Sequence, residues 1–229
     1  MARLIFHGHA CVELVASDGT RLLVDPFLTD NPLATVGPDH FADHLDYLLL
    51  THGHFDHVAD AWDILRRSGA TLIATFEIVS YAQERQGISD GHPMHIGGSF
   101  AFPFGRVKLT TAVHGGQVAG DDGAAYTTFP AGLLIEIDGT RVYHAGDTGL
   151  TRDMELLEGQ VDVALLPIGD NFTMGPGDAA RAAAMIGPRV VIPIHYGTWD
   201  LIEQDPESFR GMVAGSEVVV LAPGEAYEL

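Results

Sequence analysis

Cysteine and long apolar runs are scarce in this sequence. It has one cysteine, Cys11, among 229 residues, which excludes an intrachain disulfide and is typical of a reducing compartment. Its position in an apolar run predicts a small, buried strand residue. No segment approaches the roughly 18 apolar residues of a spanning helix, and the first residues lack a signal-peptide core. We therefore expect a soluble, cytoplasmic protein that does not enter a membrane.

Positive charge is scarce as well. Lysine and arginine total 12 against 31 acidic residues, the formal net charge is −19, and Lys108 is the single lysine. Such a surface repels polyanions, so nucleic acid is a poor candidate partner. The expected partner is a small-molecule substrate, and the sequence leaves open whether the chain forms a homo-oligomer.

The remaining composition, 46% hydrophobic and 19% charged, is ordinary for a folded chain of this length. Short apolar runs bounded by turn residues predict β-strands: RLIFH, CVELVA, RLLVDP, DYLLLT, TLIAT, RVKLTTAV, AGLLIEIDG, RVYHAG, VDVALLPI, RVVIPI and EVVVLAP. Helical patterns lie between several of them: 58–68, 76–86, 177–186 and 205–214. This order predicts an α/β fold, one domain over residues 1–229 and built of two similar halves.

Histidine is abundant by comparison. The 12 histidines equal lysine and arginine combined, and several metal-competent side chains follow apolar strands. These residues are His52, His54, Asp56 and His57 after YLLL, His114 after KLTTAV, Asp147 after RVYHAG, and His195 after VVIPI. Because sites of open α/β sheets lie at the carboxyl ends of strands, four strands would deliver seven ligands to one edge.

The spacing of this cluster predicts metal binding. Along an extended segment, residues i and i+2 point the same way, so His52 and His54 can converge on one cation. Asp56 and His57 would then face a second cation. Imidazole and carboxylate suit zinc, manganese or iron, and seven ligands exceed the need of one tetrahedral ion. Two divalent ions sharing Asp147, most simply zinc, use them all; the alternatives are a solvated polar loop or a lone structural zinc site.

The segment THGHFDH resembles the His-x-His-x-Asp-His signature of the metallo-β-lactamase superfamily, and AVHGG, AGDTG and PIHYGT resemble its later ligand motifs. The resemblance implies a four-layer αβ/βα sandwich with a dinuclear site between two sheets. It implies further that His52, His54 and His114 hold one metal, that Asp56, His57 and His195 hold the other, and that Asp147 bridges them. His54 stands where diiron redox relatives often have Glu, which favours hydrolysis.

More narrowly, FHGHACVEL, DPFLTDNP and IPIHYGTW resemble a group of small stand-alone metal-dependent hydrolases related to ascorbate-6-phosphate lactonases. In that group the TDNP segment usually has Gly where this chain has Asp30. The resemblance places His9 near the site, as a catalytic or structural residue, and suggests that Asp25 orients a ligand histidine. It also marks Asn171, Phe172, Thr173 and Met174 as a substrate pocket, although Phe172 and Met174 could equally be core residues. The helix after this loop begins with free backbone N–H groups that could receive an anion, and Tyr196 and Trp199, just after His195, would be walls of the cleft.

This constellation supports a metal-bridged hydroxide attacking a small ester, lactone, amide or phosphodiester, with Asp56 and Asp147 among the catalytic residues. Two alternatives stay open at this point. One is an iron-dependent oxidoreductase of the sulfur dioxygenase type, which needs no fused redox domain. The other is a metal-binding module without turnover.

Overall fold

The computed structural model describes residues 1–120 and 123–229. Its strands are β1 Arg3–Gly8, β2 Cys11–Val15, β3 Arg21–Val24, β4 Tyr47–Leu49, β5 Thr71–Thr75, β6 Gly91–Met94, β7 Ser99–Phe102, β8 Gly105–Thr111, β9 Gln117–Ala119, β10 Ala125–Thr127, β11 Ala131–Ile137, β12 Thr140–His144, β13 Val163–Pro167, β14 Val190–Ile194, β15 Glu217–Val218 and β16 Ala226–Glu228. Its α-helices are α1 Phe55–Val58, α2 Ala61–Ser68, α3 Phe76–Arg85, α4 Pro176–Ile186 and α5 Pro206–Arg210, and its 3₁₀ segments are Pro38–Phe41, Arg152–Leu157 and Asp200–Ile202. Within those ranges no helix is long and apolar enough to cross a bilayer.

Two seven-stranded sheets form the centre of the molecule. The first has the order β16-β1-β2-β3-β4-β5-β6 and the second β15-β14-β13-β12-β11-β8-β7. Each sheet combines antiparallel hairpins on one side with parallel strands on the other, as β3, β4, β5 and β6 pair in parallel and so do β12, β13, β14 and β15. The two sheets therefore share one pairing pattern, and the single domain built of two similar halves stays a prediction.

Three apolar clusters divide the molecule into layers. One lies between the two sheets, with Leu4, Leu49, Leu133 and Ile192 among its members. A second contains residues of β4, β5 and helices α2 and α3, and a third contains residues of β13, β14 and helix α4. Helices thus cover the outer face of each sheet, and the four-layer αβ/βα sandwich is confirmed.

Two predicted helices differ from those observed. The pattern at 58–68 is interrupted, because α1 ends at Val58 and α2 begins at Ala61. Between them the Asp60 N–H donates to Pro26 O, and the Asp60 carboxylate accepts from the backbone N–H groups of Leu28 and Thr29. The other predicted helix, 205–214, begins at an Asp205 cap but ends at Arg210, because Gly211 follows and glycine is a poor helix former.

The differences between the predicted and the observed strands concern short strands. EVVVLAP forms just the two-residue β15, and β6, β7, β9, β10 and β16 were not predicted. Cys11 is fully buried on β2, as expected. Asp30 adopts φ +61°, a left-handed conformation that glycine adopts without strain and that Asp tolerates better than most residues. A glycine at this position would adopt the same backbone conformation without strain.

Candidate metal centre

The seven predicted ligands lie together where the strand ends of both sheets meet. His52 and His54 follow β4, Asp56 and His57 occupy the first turn of α1, and the other three follow β8, β12 and β14. Their donor atoms form three groups, each within 4.8 Å: His52, His54 and His114; His52, His57 and Asp147; and His9, Asp56, His57 and His195. The groups match those that the resemblance implies, with His9 as an additional member.

Asp147 lies at the centre of this arrangement. Its Oδ2 is 3.0 Å from His195 Nε2, 3.5 Å from His114 Nε2 and 3.9 Å from His52 Nε2. Its Oδ1 is 3.3 Å from His57 Nε2. One carboxylate therefore lies between His52 and His114 of one implied ligand set and His57 and His195 of the other.

The local chain conformation makes this convergence possible. Gly53, between the two histidines of the HGH segment, has no room for a side chain, because a Cβ there would come within 2.5 Å of Val118 Cγ2. His195 adopts φ +54° directly after β14, and its N–H donates to His9 O at 2.7 Å. A non-glycine residue in this region is uncommon and costs free energy. The His9 carbonyl compensates part of that cost by accepting from the backbone N–H of His195.

The unsatisfied atoms of the centre fit a cation. His57 Nε2, His195 Nε2 and Asp147 Oδ1 are buried and lack a hydrogen-bond partner among the described residues. In the group of His52, His54 and His114, the Nδ1 atom of His54 lies 3.0 Å from His52 Nε2 and 3.2 Å from His114 Nε2. Buried nitrogens and carboxylate oxygens that converge without partners are costly unless a proton or metal neutralises them. The imidazole and carboxylate donors suit zinc, manganese or iron.

Burial and neighbouring charges shift the pKa values of the ligand histidines in two opposite directions. Burial lowers the pKa of His52 well below its usual value, and it lowers the pKa values of His54 and His114 as well. Burial opposes protonation of His57 and His195 too, but Asp147 and other nearby carboxylates outweigh it. They raise the pKa of His57 well above the usual value and that of His195 to about 9. A divalent cation would replace these protons beside Asp147, whose own pKa is held well below normal despite burial.

Asp25 and Thr51 orient two of the ligand rings. Asp25 Oδ2 lies 2.8 Å from His57 Nδ1 and accepts from Thr51 Oγ1 at 2.6 Å, while its Oδ1 accepts from the Thr51 N–H. Because the Thr51 hydroxyl donates to Asp25, it accepts from His52 Nδ1, 3.0 Å away. Both rings therefore carry a proton on Nδ1, which leaves Nε2 of His52 and His57 directed at the metal centre. This agrees with the expected role of Asp25.

His9 forms hydrogen bonds with Asp56, one of the predicted ligands, and with Thr198. Its Nε2 lies 3.1 Å from Asp56 Oδ2 and its Nδ1 lies 2.8 Å from Thr198 Oγ1. Burial lowers the pKa of His9 to about 4, so the ring is neutral at pH 7. Since an ionised carboxylate only accepts, Nε2 carries the proton and Nδ1 accepts from Thr198. This geometry makes His9 a positioning residue for Asp56.

His9→Ala is expected to weaken metal binding by roughly 10–100-fold, as is usual when a group that orients a ligand is removed. His7→Ala is the matched control, because His7 is also buried in the same hairpin, but its Nε2 lies 3.1 Å from Glu13 Oε2 and contacts none of the predicted ligands. Competition with a chromophoric chelator measures both affinities. Equal losses in the two variants would show that His9 acts only through hairpin stability.

The predicted pocket loop needs one correction. Phe172 is 51% exposed, and Asn171 and Thr173 also reach the surface, but Met174 is buried in the cluster under α4 and is not a pocket wall. The loop turns at Asp170 and Asn171, which have positive φ, and the N–H of Met174 donates to Thr148 O. These contacts tie the loop to the segment that carries Asp147 and direct the Met174 side chain into the core.

Tyr196, predicted as a wall of the cleft, is half-buried. It packs against the same apolar cluster, and burial together with nearby Glu207 of α5 raises its pKa. Trp199 contacts the site instead, with its ring 5.0 Å from that of His9. The anion site expected at the start of α4 is also disfavoured, because the Asp170 carboxylate lies beside Gly175 and Asp178 occupies the first turn.

Comparison with known proteins adds a family context to this geometry. The sequence profile of the "Beta-lactamase superfamily domain" matches residues 20–196. The chain is 48% identical over 239 residues to a UPF0173 metal-dependent hydrolase of Heliobacterium modesticaldum, covering 100% of this chain and 98% of that protein. A protein of the same description from Anoxybacillus flavithermus is 46% identical, with 99% and 100% covered. Igni18, a metallo hydrolase from the archaeon Ignicoccus hospitalis, has a similar structure, with a TM-score of 0.86, 33% identity, and 100% and 99% covered.

Proposed function

Because the chain belongs to the metallo-β-lactamase superfamily, we propose that it is a metal-dependent hydrolase with two divalent cations and a small ester, lactone, amide or phosphodiester substrate. The observation that carries the proposal is the position of Asp147, whose carboxylate lies within 3.9 Å of the Nε2 atoms of four histidines. His52, His54 and His114 would hold one cation, and Asp56, His57 and His195 the other. When bound, a pair of such cations lowers the pKa of water and polarises the scissile group.

The protein groups then position the reactants. Asp56 is the member of its group with measurable exposure, at 8%, whereas His57 and His195 are at 0% and 1%. Its pKa is held far below the usual value despite burial, with His57, His195 and His9 as the nearby causes. Asp56 therefore stays ionised, and its carboxylate accepts a hydrogen bond from the attacking water. Because its pKa is so low, Asp56 does not take up the proton of that water. The water oxygen joins the acyl or phosphoryl centre, and its proton goes to the leaving oxygen or nitrogen.

The charge distribution supports a small substrate over a polymer. A chain of −19 with one lysine has few cations with which to release counterions from successive phosphates, the main source of nucleic-acid affinity. Nucleic acid is accordingly not among the proposed partners.

Chelation tests the proposal. Protein stripped of metal should lose hydrolysis of every substrate in a panel of a lactone, a p-nitrophenyl ester, an amide and bis(p-nitrophenyl) phosphate. Zinc or manganese should restore turnover of at least one of them. Turnover that survives stripping would contradict the proposal, and so would oxygen consumption by the iron-loaded protein without hydrolysis by any metal form.

A further inference from the structure

Three aromatic side chains form a cluster at the mouth of the candidate site. The rings of Phe27, Phe55 and Trp199 are 5.8 to 5.9 Å apart in all three pairs, a range in which aromatic rings attract one another. Phe27 is buried, Trp199 is half-buried and Phe55 is 65% exposed. The cluster is therefore anchored in the protein at one end and open to solvent at the other.

The cluster contacts His9, which belongs to the group of donor atoms that also includes Asp56, His57 and His195. The His9 ring lies 5.6 Å from Phe27 and 5.0 Å from Trp199, and it is 4.1 Å from the His195 ring. Phe55 directly precedes Asp56 at the start of α1. A substrate whose reacting group reaches Asp56 would thus place an adjoining substituent against these rings.

The segments around the mouth contain almost no positive charge. They hold one basic residue, Arg152, against nine acidic residues. The segments are 25–34, 51–60, 112–117, 145–152, 168–176 and 195–205. The start of α4 already has Asp170 beside it, and the start of α1 has Asp56 in its first turn. Away from the cations themselves, an anionic substituent would find little positive charge here, whereas an apolar one would find rings to pack on.

We infer that Phe27, Phe55 and Trp199 form a specificity subsite for an aromatic or alkyl substituent of an uncharged substrate. The inference rests on the proposed function and narrows it to neutral esters, lactones or amides, away from phosphodiesters. An exposed Phe55 ring serves this purpose because the substituent covers it on binding, and transfer of that apolar surface from water favours the complex.

Binding tests the subsite independently of turnover. The Trp62→Phe variant leaves Trp199 as the only tryptophan, so its fluorescence reports on the cluster. Zinc-loaded protein should bind phenylacetamide at least roughly tenfold more tightly than acetamide. Phe55→Ala should remove most of that difference. Phe100→Ala is the matched control, because Phe100 is 46% exposed but lies on β7, the edge strand of the second sheet.

Three results would overturn the inference. The first is equal affinity for the two amides, and the second is equal effects of the Phe55 and Phe100 substitutions. The third is sedimentation showing that Phe55→Ala separates a dimer while leaving amide binding unchanged, which would assign the exposed ring to a contact between two copies of the chain.

Kinetics separate this inference from the proposed function. If hydrolysis occurs, kcat/KM for γ-phenyl-γ-butyrolactone should exceed that for γ-butyrolactone by roughly tenfold, and Trp199→Ala should abolish the preference, mainly through KM. Turnover without preference contradicts the subsite alone. Absence of turnover with any metal contradicts the proposed function, while the amide measurements still decide on the subsite.

Discussion

Asp147→Asn is expected to lower kcat/KM by roughly 10³-fold or more and to release at least one cation, because residues acting as one catalytic unit show losses of this order or larger. The amide keeps the size of the side chain but removes the negative charge that lies within 3.9 Å of four imidazole nitrogens. It also brings an N–H donor toward nitrogens that need lone pairs free for metal. Turnover assays and elemental analysis of the same sample measure both effects.

The fold should survive this substitution, because Asp147 lies in a loop after β12, whose residues Val142 and Tyr143 are packed in the core. Asp162→Asn is the control, since Asp162 pairs with Arg141 at the surface and an exposed pair contributes little to stability. Near wild-type turnover by Asp147→Asn, with circular dichroism unchanged, would refute the bridging role.

Asp25→Ala is expected to have the largest effect on stability, roughly 3–5 kcal/mol, the usual cost of leaving partners of a buried charge unpaired. Asp25 is fully buried and accepts three hydrogen bonds, from the Thr51 N–H, the Thr51 hydroxyl and His57 Nδ1. Its loss also frees the tautomers of His52 and His57, so metal affinity should fall as well. Urea unfolding of the metal-free protein gives the first effect, and chelator competition gives the second.

Asp60→Ala provides a matched comparison. Asp60 is also buried and accepts three hydrogen bonds, from the N–H groups of Leu28 and Thr29 and from the Thr29 hydroxyl. None of its partners is a predicted ligand. Both variants should unfold at lower urea concentrations, but only Asp25→Ala should lose metal affinity beyond what the stability change explains. A parallel loss in both would assign Asp25 a structural role alone.

The residues that could be located from the sequence are those marked by a pattern within a short segment of the chain. HGHFDH places four metal-competent side chains within six positions, and each later candidate directly follows an apolar strand. Strand ends of both sheets meet at one edge, so local pattern and topology together were enough to gather them. The alternation of strands and helices predicted the α/β class, whereas the four layers were implied by the resemblance to the metallo-β-lactamase superfamily.

Other features depend on contacts that no local pattern encodes. The link from Thr198 through His9 to Asp56 joins residues 189 and 47 positions apart. Phe172 and Met174 belong to one loop, yet one is exposed and the other buried, because the turn at Asp170 and Asn171 sets their directions. Likewise Tyr196 and Trp199 follow the same strand, and only packing decides which of them contacts His9.

Metal stoichiometry tests the central claim most directly. Wild-type protein loaded with zinc and dialysed against metal-free buffer should retain two zinc ions per chain by elemental analysis. His114→Ala and His195→Ala, each removing one ligand from a different group, should each retain about one. A wild-type value of one or none under these conditions would contradict the dinuclear centre on which the account depends.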